Sequence, residues 1–258
     1  MIIDKQQVAR HFSKAADSYN DYAELQRNIG HQLLSYLPAQ DYSLAVDLGC
    51  GTGYFATALK AQVDKVIALD LSLAMANKAK HSAKPFAAMV SDAEQLALAD
   101  SSVDLVYSSL ALQWCNDLTI ALREIKRVLK PNGILLFSTL NQGTLFELED
   151  AWADVDKHRH VNRFLTNAEI EEAANNAGFA DTEFYQEKRT LWYEHAFLLL
   201  ADLKGIGANY VVGGEPKATN RSQLKTMAKN YKAKYSSADK NNCISATYKV
   251  SYGVLINA

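Results

Sequence analysis

The sequence predicts an α/β fold in which helices cover both faces of a mostly parallel sheet. Short, continuously apolar runs alternate with helical stretches through residues 44–139. Such runs are typical of parallel strands, because the helices that connect them bury both sides of the sheet. We expect five strands here, at residues 44–48, 65–70, 86–90, 103–108 and 134–139. The intervening helices are expected near residues 53–61, 73–82 and 117–129.

Further helices and strands are expected on both sides of this region. Residues 5–37 carry apolar side chains at three- and four-residue spacing, which predicts a helical cap over residues 1–37 with one buried face. Two helices and then two strands are expected at residues 145–157, 167–177, 182–192 and 246–256. Residues 195–243 contain helices and loops, and we expect this insertion before the last strand to form a lid above the sheet edge.

The composition favours one globular domain over residues 1–258 and excludes several classes of protein. The chain is 48% hydrophobic with a formal net charge of −2, which excludes a disordered chain and disfavours a uniformly basic nucleic-acid-binding domain. Its three cysteines form no paired motif, so neither a metal site nor a disulfide framework is expected. We find no apolar leader and no stretch long enough to span a membrane, which predicts a cytoplasmic protein.

One segment of the chain is strongly basic. Residues 204–240 contain only two acidic residues, Glu215 and Asp239. The eight basic residues of this segment are Lys204, Lys217, Arg221, Lys225, Lys229, Lys232, Lys234 and Lys240. Such a run is either a solvated helix face or a docking surface for an acidic partner, and charge alone does not separate the two.

A glycine-rich loop follows the first expected strand and precedes a helix. It begins at Asp47 and has glycines at alternate positions, Gly49, Gly51 and Gly53. Glycine lets the backbone turn tightly and approach a ligand closely, and the start of the helix offers unpaired N–H groups. Asp70 ends the second strand, where a carboxylate can accept hydrogen bonds from ribose hydroxyls. The pattern therefore predicts a nucleoside-binding site at this edge of the sheet.

Together with later motifs, the loop resembles the class I S-adenosylmethionine-dependent methyltransferases. The matching segments are residues 46–53, 69–75, 91–96, 101–114 and 123–139. The resemblance implies a Rossmann-like, seven-stranded sheet with an antiparallel last strand, and S-adenosyl-L-methionine as the cofactor. The implied cofactor-binding residues are Asp47, Gly49, Cys50, Gly51, Gly53, Asp70, Leu71, Met75, Asp92, Ala93, Ser108, Ser109 and Leu110. For Asp92, which follows the third strand, a helix N-cap is the other interpretation.

The flanking segments resemble one family within this class, the malonyl-acyl-carrier-protein O-methyltransferases of biotin synthesis. The resemblance rests on segments within residues 12–26, 110–114, 141–152, 160–164, 203–208, 220–224 and 248–256. It implies methylation of the free carboxylate of malonyl-acyl-carrier protein, or of malonyl-coenzyme A, with S-adenosylhomocysteine as the second product. The implied partner is an acidic carrier protein, which the basic segment would attract. No nucleic acid or membrane is expected as a partner.

An acceptor carboxylate needs positioning rather than activation. Its reference pKa is about 4, so it is ionised at neutral pH and needs no general base. Alignment of the reacting atoms can supply roughly 7–11 kcal/mol. We expect Tyr19, Arg163, His160 and Trp114 to orient the carboxylate, and Arg163 is favoured because a guanidinium matches a carboxylate bidentately. The other interpretations are a surface ion pair for Arg163, core packing for Tyr19 and a plain surface position for His160.

Four other functions stay open at this point. A small-molecule or quinone methyltransferase would need no basic docking surface, and an RNA methyltransferase would use residues 204–240 as a phosphate contact. A non-catalytic regulator would bind S-adenosylmethionine without turnover. A nicotinamide-dependent dehydrogenase is disfavoured, because the glycine spacing differs from the dinucleotide-binding fingerprint.

Overall fold

The computed structural model describes residues 2–213 and 220–258, and one mixed sheet organises them. Its strands are β1 (Tyr42–Leu48), β2 (Val63–Asp70), β3 (Ala87–Val90), β4 (Val103–Ser109), β5 (Leu129–Leu140), β6 (Asp181–Tyr193), β7 (Ser236–Ser237) and β8 (Cys243–Ile256). The α-helices are α1 (Lys5–Ala15), α2 (Tyr19–Tyr22), α3 (Glu24–Leu34), α4 (Tyr54–Leu59), α5 (Leu73–Ser82), α6 (Leu118–Val128), α7 (Phe146–Ala153), α8 (Asn167–Asn176), α9 (Ala196–Gly205) and α10 (Arg221–Tyr235).

The sheet has the strand order β3-β2-β1-β4-β5-β8-β6, with β7 paired to β8. Strands β1 to β5 pair in parallel, whereas β8 runs antiparallel to both β5 and β6. The predicted seven-stranded frame with an antiparallel last strand is confirmed, and the two-residue β7 is an addition to it. The strand order reverses between β1 and β4, and the crevice at the carboxyl ends of such strands is the usual place for a ligand.

Both faces of the sheet are buried, as the continuous apolar strands predict. In β1, Ala45 belongs to one apolar cluster and Val46 to the other, and Tyr107 and Val106 of β4 divide in the same way. Successive side chains of a strand point to opposite faces, so one apolar run serves two cores. The first cluster packs against α3 and the second against α6.

The N-terminal cap consists of three helices, whereas the periodicity predicts a single one over residues 5–37. The break follows α1, which ends at Ala15. The Ser18 hydroxyl donates to the carbonyl groups of Ala15 and Gly205, at 3.3 and 3.1 Å. A serine side chain that competes for helix carbonyl groups favours such an end. The interruption also ties the cap to α9.

Strand β5 begins at Leu129, directly after α6, whereas the sequence predicts its start at residue 134. Asn257 explains the earlier start. Its side-chain amide donates to the carbonyl groups of Leu129 and Lys130, at 2.9 and 3.1 Å. Its backbone carbonyl accepts from the N–H of Asn132 at 2.7 Å. The C-terminal residues thus hold this stretch against the sheet.

The described parts of the insertion between β6 and β8 contain α9, α10, a loop after α9 and the short strand β7, and its role as a lid stays a prediction. α10 is tied to α7 by Lys234, which forms ion pairs with Asp150 at 2.9 Å and Asp154 at 3.0 Å. Glu215 and Lys217 of the basic segment lie outside the described residues. Within the part of the chain that is described, none of the helices combines the length and hydropathy needed to cross a membrane.

Candidate active site

The glycine-rich loop turns the chain from β1 into α4 through the left-handed backbone region. The φ angles are 74° at Gly49, 52° at Gly51 and 87° at Gly53, which L side chains rarely adopt. A Cβ atom at Gly49 or Gly53 would also collide with neighbouring atoms. At Gly51 the nearest atoms to such a Cβ are those of the Tyr19 ring, at 3.9 Å. Gly51 is therefore the point at which a ligand can approach the loop backbone.

Asp70 ends β2 and holds the glycine-rich loop in place. Its two carboxylate oxygens accept backbone N–H bonds from Gly51 at 2.9 Å and from Ser72 at 2.8 Å. Burial raises the pKa of Asp70 to about 6, although both hydrogen bonds oppose that shift. Each carboxylate oxygen has a second lone pair, so the group can still accept from two hydroxyls. This is the arrangement that ribose binding requires.

Asp47 presents a buried carboxylate beside the same loop. The residue is 2% exposed, and its Oδ2 atom has no hydrogen-bond partner among the described residues. Burial, with a further contribution from the charge of Asp70, raises the pKa of Asp47 to about 7. A buried acceptor without a donor is costly, so a cationic group in the adjoining cavity would stabilise it. An ammonium group, such as that of S-adenosylmethionine, fits this position.

Asp92 is held by α1 and is not a helix N-cap. Its carboxylate forms an ion pair with Lys5 at 2.5 Å and accepts the N–H of Glu94 at 2.9 Å. Lys5 also pairs with the Glu94 side chain. These ion pairs fasten the start of α1 over the end of β3, a contact that the sequence did not predict.

These groups line two adjoining cavities, which we call the cofactor cleft. The predicted cofactor residues that line it are Asp47, Gly49, Cys50, Gly51, Asp70, Leu71, Met75, Asp92, Ala93, Ser109 and Leu110. Gly53 and Ser108, also predicted, do not line it. Gly53 packs against α5, and the fully buried Ser108 donates its hydroxyl to the carbonyl of Leu48 at 3.0 Å. These two residues shape the loop and the strand.

The first helix supplies cleft residues that the sequence analysis missed. Lys5, Val8 and Phe12 of α1 line the cofactor cleft. The helix is also held to α5, because Ser13 Oγ lies 2.8 Å from Ser72 Oγ. Helical periodicity predicts that one face is buried but not what that face covers, so the sequence carried no signal for this placement.

A second cavity lies between the sheet edge, the N-terminal cap and the insertion, and we call it the acceptor cavity. Most of its wall is apolar, including Leu148, Trp152, Leu200, Leu203, Ile206 and Leu224. Apart from His160, its polar side chains are neutral, and no Lys, Arg, Asp or Glu of the described residues lines it. An anion that enters this cavity would lose its hydrogen bonds to water and could replace them only with hydrogen bonds from a few neutral donors.

Five residues line both the cofactor cleft and the acceptor cavity: Phe12, Tyr19, Gln26, Leu110 and Trp114. Leu110 has a φ of 52°, a conformation that costs energy for leucine and is commonest at functional sites. Burial and the charge of Asp70 raise the pKa of Tyr19, so its phenol stays protonated and acts as a hydrogen-bond donor. A chemical group can therefore be transferred, where the two cavities meet, from a ligand in the cofactor cleft to a ligand in the acceptor cavity.

His160 lies with Tyr19 and Trp114 in the wall of the acceptor cavity, and that the three orient the acceptor carboxylate stays a prediction. Its ring stacks on Trp152 with the centroids 3.7 Å apart, and its Nε2 lies 2.9 Å from Asp156 Oδ1. A stacked and hydrogen-bonded ring is held in one orientation. The plain surface interpretation of His160 is therefore wrong.

Arg163, the favoured carboxylate ligand, does not line the acceptor cavity. Its neighbours Asn162 and Phe164 do line it, whereas Arg163 is exposed in an outer groove. The segment is not helical, and alternate residues of an extended chain face opposite ways. The charge of Arg163 acts on Glu169 instead, where it contributes to a lowered pKa. This placement does not support a direct contact between Arg163 and the acceptor.

The chain is similar in sequence to known methyltransferases. The family described as a methyltransferase domain matches residues 46–137. Over 254 residues the chain is 39% identical to the malonyl-[acyl-carrier protein] O-methyltransferase of Serratia marcescens, covering 98% of this chain and 96% of that one. It is 40% identical over 256 residues to the biotin biosynthesis bifunctional protein BioHC of Cellvibrio japonicus, covering 98% of this chain but 50% of that longer protein.

Solved structures share the fold at low sequence identity. The YcgJ protein of Bacillus subtilis has a TM-score of 0.62 at 18% identity, covering 89% of this chain and 97% of that one. Phosphoethanolamine N-methyltransferase 2 of Haemonchus contortus, solved with S-adenosyl-L-methionine, has a TM-score of 0.57 at 20% identity. The match covers 94% of this chain and 57% of that one. These likenesses concern the fold. The nearly full-length relatives decide the family: the chain belongs to the malonyl-[acyl-carrier protein] O-methyltransferases, which are S-adenosylmethionine-dependent enzymes.

Proposed function

We propose that this enzyme methylates the free carboxylate of a malonyl group carried by acyl-carrier protein, an early step of biotin synthesis. The observation that carries the proposal is the 39% identity, over nearly the whole of both chains, with a relative of that name. The matched region covers 98% of this chain, so it extends over the cap and the insertion, which line the acceptor cavity, as well as the loops of the cofactor cleft.

The acceptor cavity suits a carboxylate nucleophile. The reference pKa of a carboxyl group is about 4, so the acceptor arrives ionised and no side chain has to remove a proton. When bound, the cofactor supplies a methyl group on a cationic sulfur, and both charges are lost as the carboxylate oxygen takes it up. The apolar wall favours that loss of charge, because it solvates separated ions poorly.

Tyr19 is the donor that we assign to the acceptor carboxylate. It lines the cofactor cleft and the acceptor cavity, and its raised pKa keeps the phenol protonated. Trp114 packs edge-on against Phe12, with the ring centroids 5.6 Å apart, and closes the junction between the two cavities. His160 belongs to the far wall, where its stacking on Trp152 fixes the shape of the cavity.

The inserted helices support a lid and a docking surface for an acidic carrier protein. The loop after α9 is fastened over the acceptor cavity, since Asn162 donates to the carbonyl of Tyr210 and accepts from the N–H of Val212, both at 2.8 Å. The exposed basic residues of α10, three or four positions apart on one face, are Arg221, Lys225, Lys229 and Lys232. A basic face of this kind accelerates encounter with an acidic partner.

The test is methyl transfer from labelled S-adenosylmethionine to three acceptors. We expect transfer to malonyl-acyl-carrier protein, slower transfer to malonyl-coenzyme A and none to acetyl-acyl-carrier protein, which lacks the free carboxylate. Cofactor binding without transfer to any malonyl acceptor would contradict the proposal. In that case a small-molecule acceptor or a non-catalytic role would have to be tested.

A further inference from the structure

We propose that α3 binds the amino-acid end of the cofactor: Gln26 accepts a hydrogen bond from its ammonium group and Arg27 pairs with its carboxylate. Neither residue is among those that the sequence predicts to bind the cofactor. The inference rests on the cofactor of the proposed function but not on its acceptor. It gives the N-terminal cap a direct role in cofactor binding, in addition to covering the cleft.

One of the two cavities of the cofactor cleft, which we call the loop cavity, lies between the glycine-rich loop and the cap. Gln26 and Arg27 line it on the cap side, and Asp47 and Gly51 line it on the loop side. It shares Tyr19 and Gly51 with the cavity that contains Met75 and Asp92. A ligand whose adenosine contacts Asp70 can therefore extend its other end into the loop cavity.

Two residues that line the loop cavity each have a buried side-chain oxygen without a hydrogen donor. These atoms are Gln26 Oε1 and Asp47 Oδ2, and neither has a partner among the described residues. An ammonium group carries three N–H donors, which is enough to supply a donor to each of these atoms. Asp47 adds a negative charge when ionised, while Gln26 adds a neutral acceptor, which limits repulsion from the nearby Asp70.

Arg27 brings a positive charge to the same cavity. Its guanidinium donates to the carbonyl of Asn20 at 2.8 Å and lies over the Tyr54 ring, 5.9 Å from the centroid. A guanidinium has five N–H donors in a planar fork, so it can also bind a carboxylate. The loop cavity thus offers acceptors for a cation and a donor fork for an anion, which is the complement of a zwitterionic amino acid.

The test compares two ligands by calorimetry, without any acceptor. S-adenosylhomocysteine carries the amino-acid end, whereas methylthioadenosine has the same adenosine and thioether without it. Gln26→Met should weaken S-adenosylhomocysteine binding roughly tenfold or more, the loss expected for a hydrogen bond to a charged group. Methylthioadenosine binding should change less than about twofold, since it lacks that group. Arg27→Met should give the same selective loss.

Two control variants make the outcome decisive. Gln26→Glu keeps an acceptor at the same position and should retain S-adenosylhomocysteine binding at pH 8. Gln32→Met makes the same substitution on α3, at a residue that lines neither cavity of the cleft. It should leave the affinity for both ligands unchanged. Gln26 also lines the acceptor cavity, so activity alone would not separate the two roles. Equal weakening of both ligands, or no weakening by Gln26→Met, would overturn the proposal whatever the acceptor is.

Discussion

The cofactor cleft and the acceptor cavity meet at Tyr19 but differ in origin and chemistry. The cleft is built mainly by loops that directly follow strands, and it contains the buried carboxylates of Asp47 and Asp70. The acceptor cavity is lined largely by the cap, α7 and the insertion, and its described polar side chains are neutral apart from His160. The cleft therefore recognises charge and hydroxyl groups, whereas the cavity excludes water and favours a reaction that removes charge.

Removing the carboxylate of Asp70 is the largest single change expected in the cleft. Asp70→Asn should weaken S-adenosylhomocysteine binding roughly hundredfold, because hydrogen bonds to a charged group contribute about 1.5–3 kcal/mol each. The matched control is Asp104→Asn, since Asp104 also accepts two backbone N–H bonds, from Ser43 at 3.1 Å and Leu44 at 2.8 Å, outside the cleft. Calorimetry should find the loss only at Asp70, and an equal loss in both variants would refute a ligand contact.

A change at the junction should affect turnover and not cofactor binding. Tyr19→Phe should lower kcat for malonyl-acyl-carrier protein roughly tenfold or more, because it removes one donor to an anionic acceptor. S-adenosylhomocysteine affinity should stay within about threefold, since no charged cofactor contact is lost. Tyr22→Phe, on the same short helix, is the control. If cofactor affinity fell as much as kcat, Tyr19 would belong to the cleft alone.

The raised pKa of Asp47 makes cofactor binding depend on pH. Below pH 7 the ligand-free carboxyl is protonated, so it must release a proton before it can pair with an ammonium group. S-adenosylhomocysteine affinity should fall roughly tenfold between about pH 8 and pH 6, with proton release visible in buffers of different ionisation enthalpy. Asp47→Asn should flatten this pH profile. A steep profile in that variant would mean that another group causes the pH dependence of binding.

The carboxyl group of Asp47 should also affect the stability of the ligand-free protein, and this effect has the opposite pH dependence to its effect on cofactor affinity. Its pKa in the fold lies above the reference value of 3.8, so the native state binds the proton more tightly than the unfolded chain does. The contribution of Asp47 to the free energy of unfolding of the ligand-free protein should therefore decrease as pH rises from about 4 to about 7. Denaturant titrations of the protein and of Asp47→Asn should show this contribution as a difference in stability that changes with pH over that range.

The basic face of the lid should matter only for a protein-borne acceptor. Lys225→Glu combined with Lys229→Glu should lower kcat/KM for malonyl-acyl-carrier protein roughly fivefold at low salt, mainly through slower association. The value for malonyl-coenzyme A should be unchanged. Lys65→Glu combined with Lys84→Glu, exposed positions at the other end of the sheet, is the control. An equal loss of kcat/KM with both acceptors would mean that these lysines contribute to the reaction itself and not to docking of the carrier protein.

The smallest effect is expected at Arg163. Because it is exposed in the outer groove, Arg163→Ala should change kcat/KM for malonyl-coenzyme A less than about threefold, the scale of a lost surface ion pair. Steady-state kinetics suffice to check this. A loss of tenfold or more would restore the sequence prediction that Arg163 holds the carboxylate.

The cofactor cleft could be predicted from the sequence because its contacts are local. The turn at Gly49 to Gly53 and the end of β2 at Asp70 are adjacent to strands, and strand order fixes where their ends meet. The positions of Gln26 and Lys5 in the cleft were missed because they depend on how the cap helices pack onto the sheet. That packing is a tertiary property that periodicity does not encode.

The lining of the acceptor cavity was only partly predicted for a similar reason. Tyr19, Trp114 and His160 reach the cavity, but Arg163 faces outward between two residues that face inward. Chemistry favours a guanidinium beside a carboxylate, yet the direction of a side chain on an irregular segment is decided by its neighbours. The cavity that results has no described lysine or arginine in its wall.

The most direct test of the account is the chemical position of the transferred methyl group. Malonyl-acyl-carrier protein is incubated with labelled S-adenosylmethionine and the enzyme, and the product is then exposed to mild base. The account predicts that the label is on the malonyl carboxylate, so base releases it as methanol while the carrier protein remains unlabelled. A label that resists base, or equal labelling of acetyl-acyl-carrier protein, would contradict methylation of a carboxylate in the acceptor cavity.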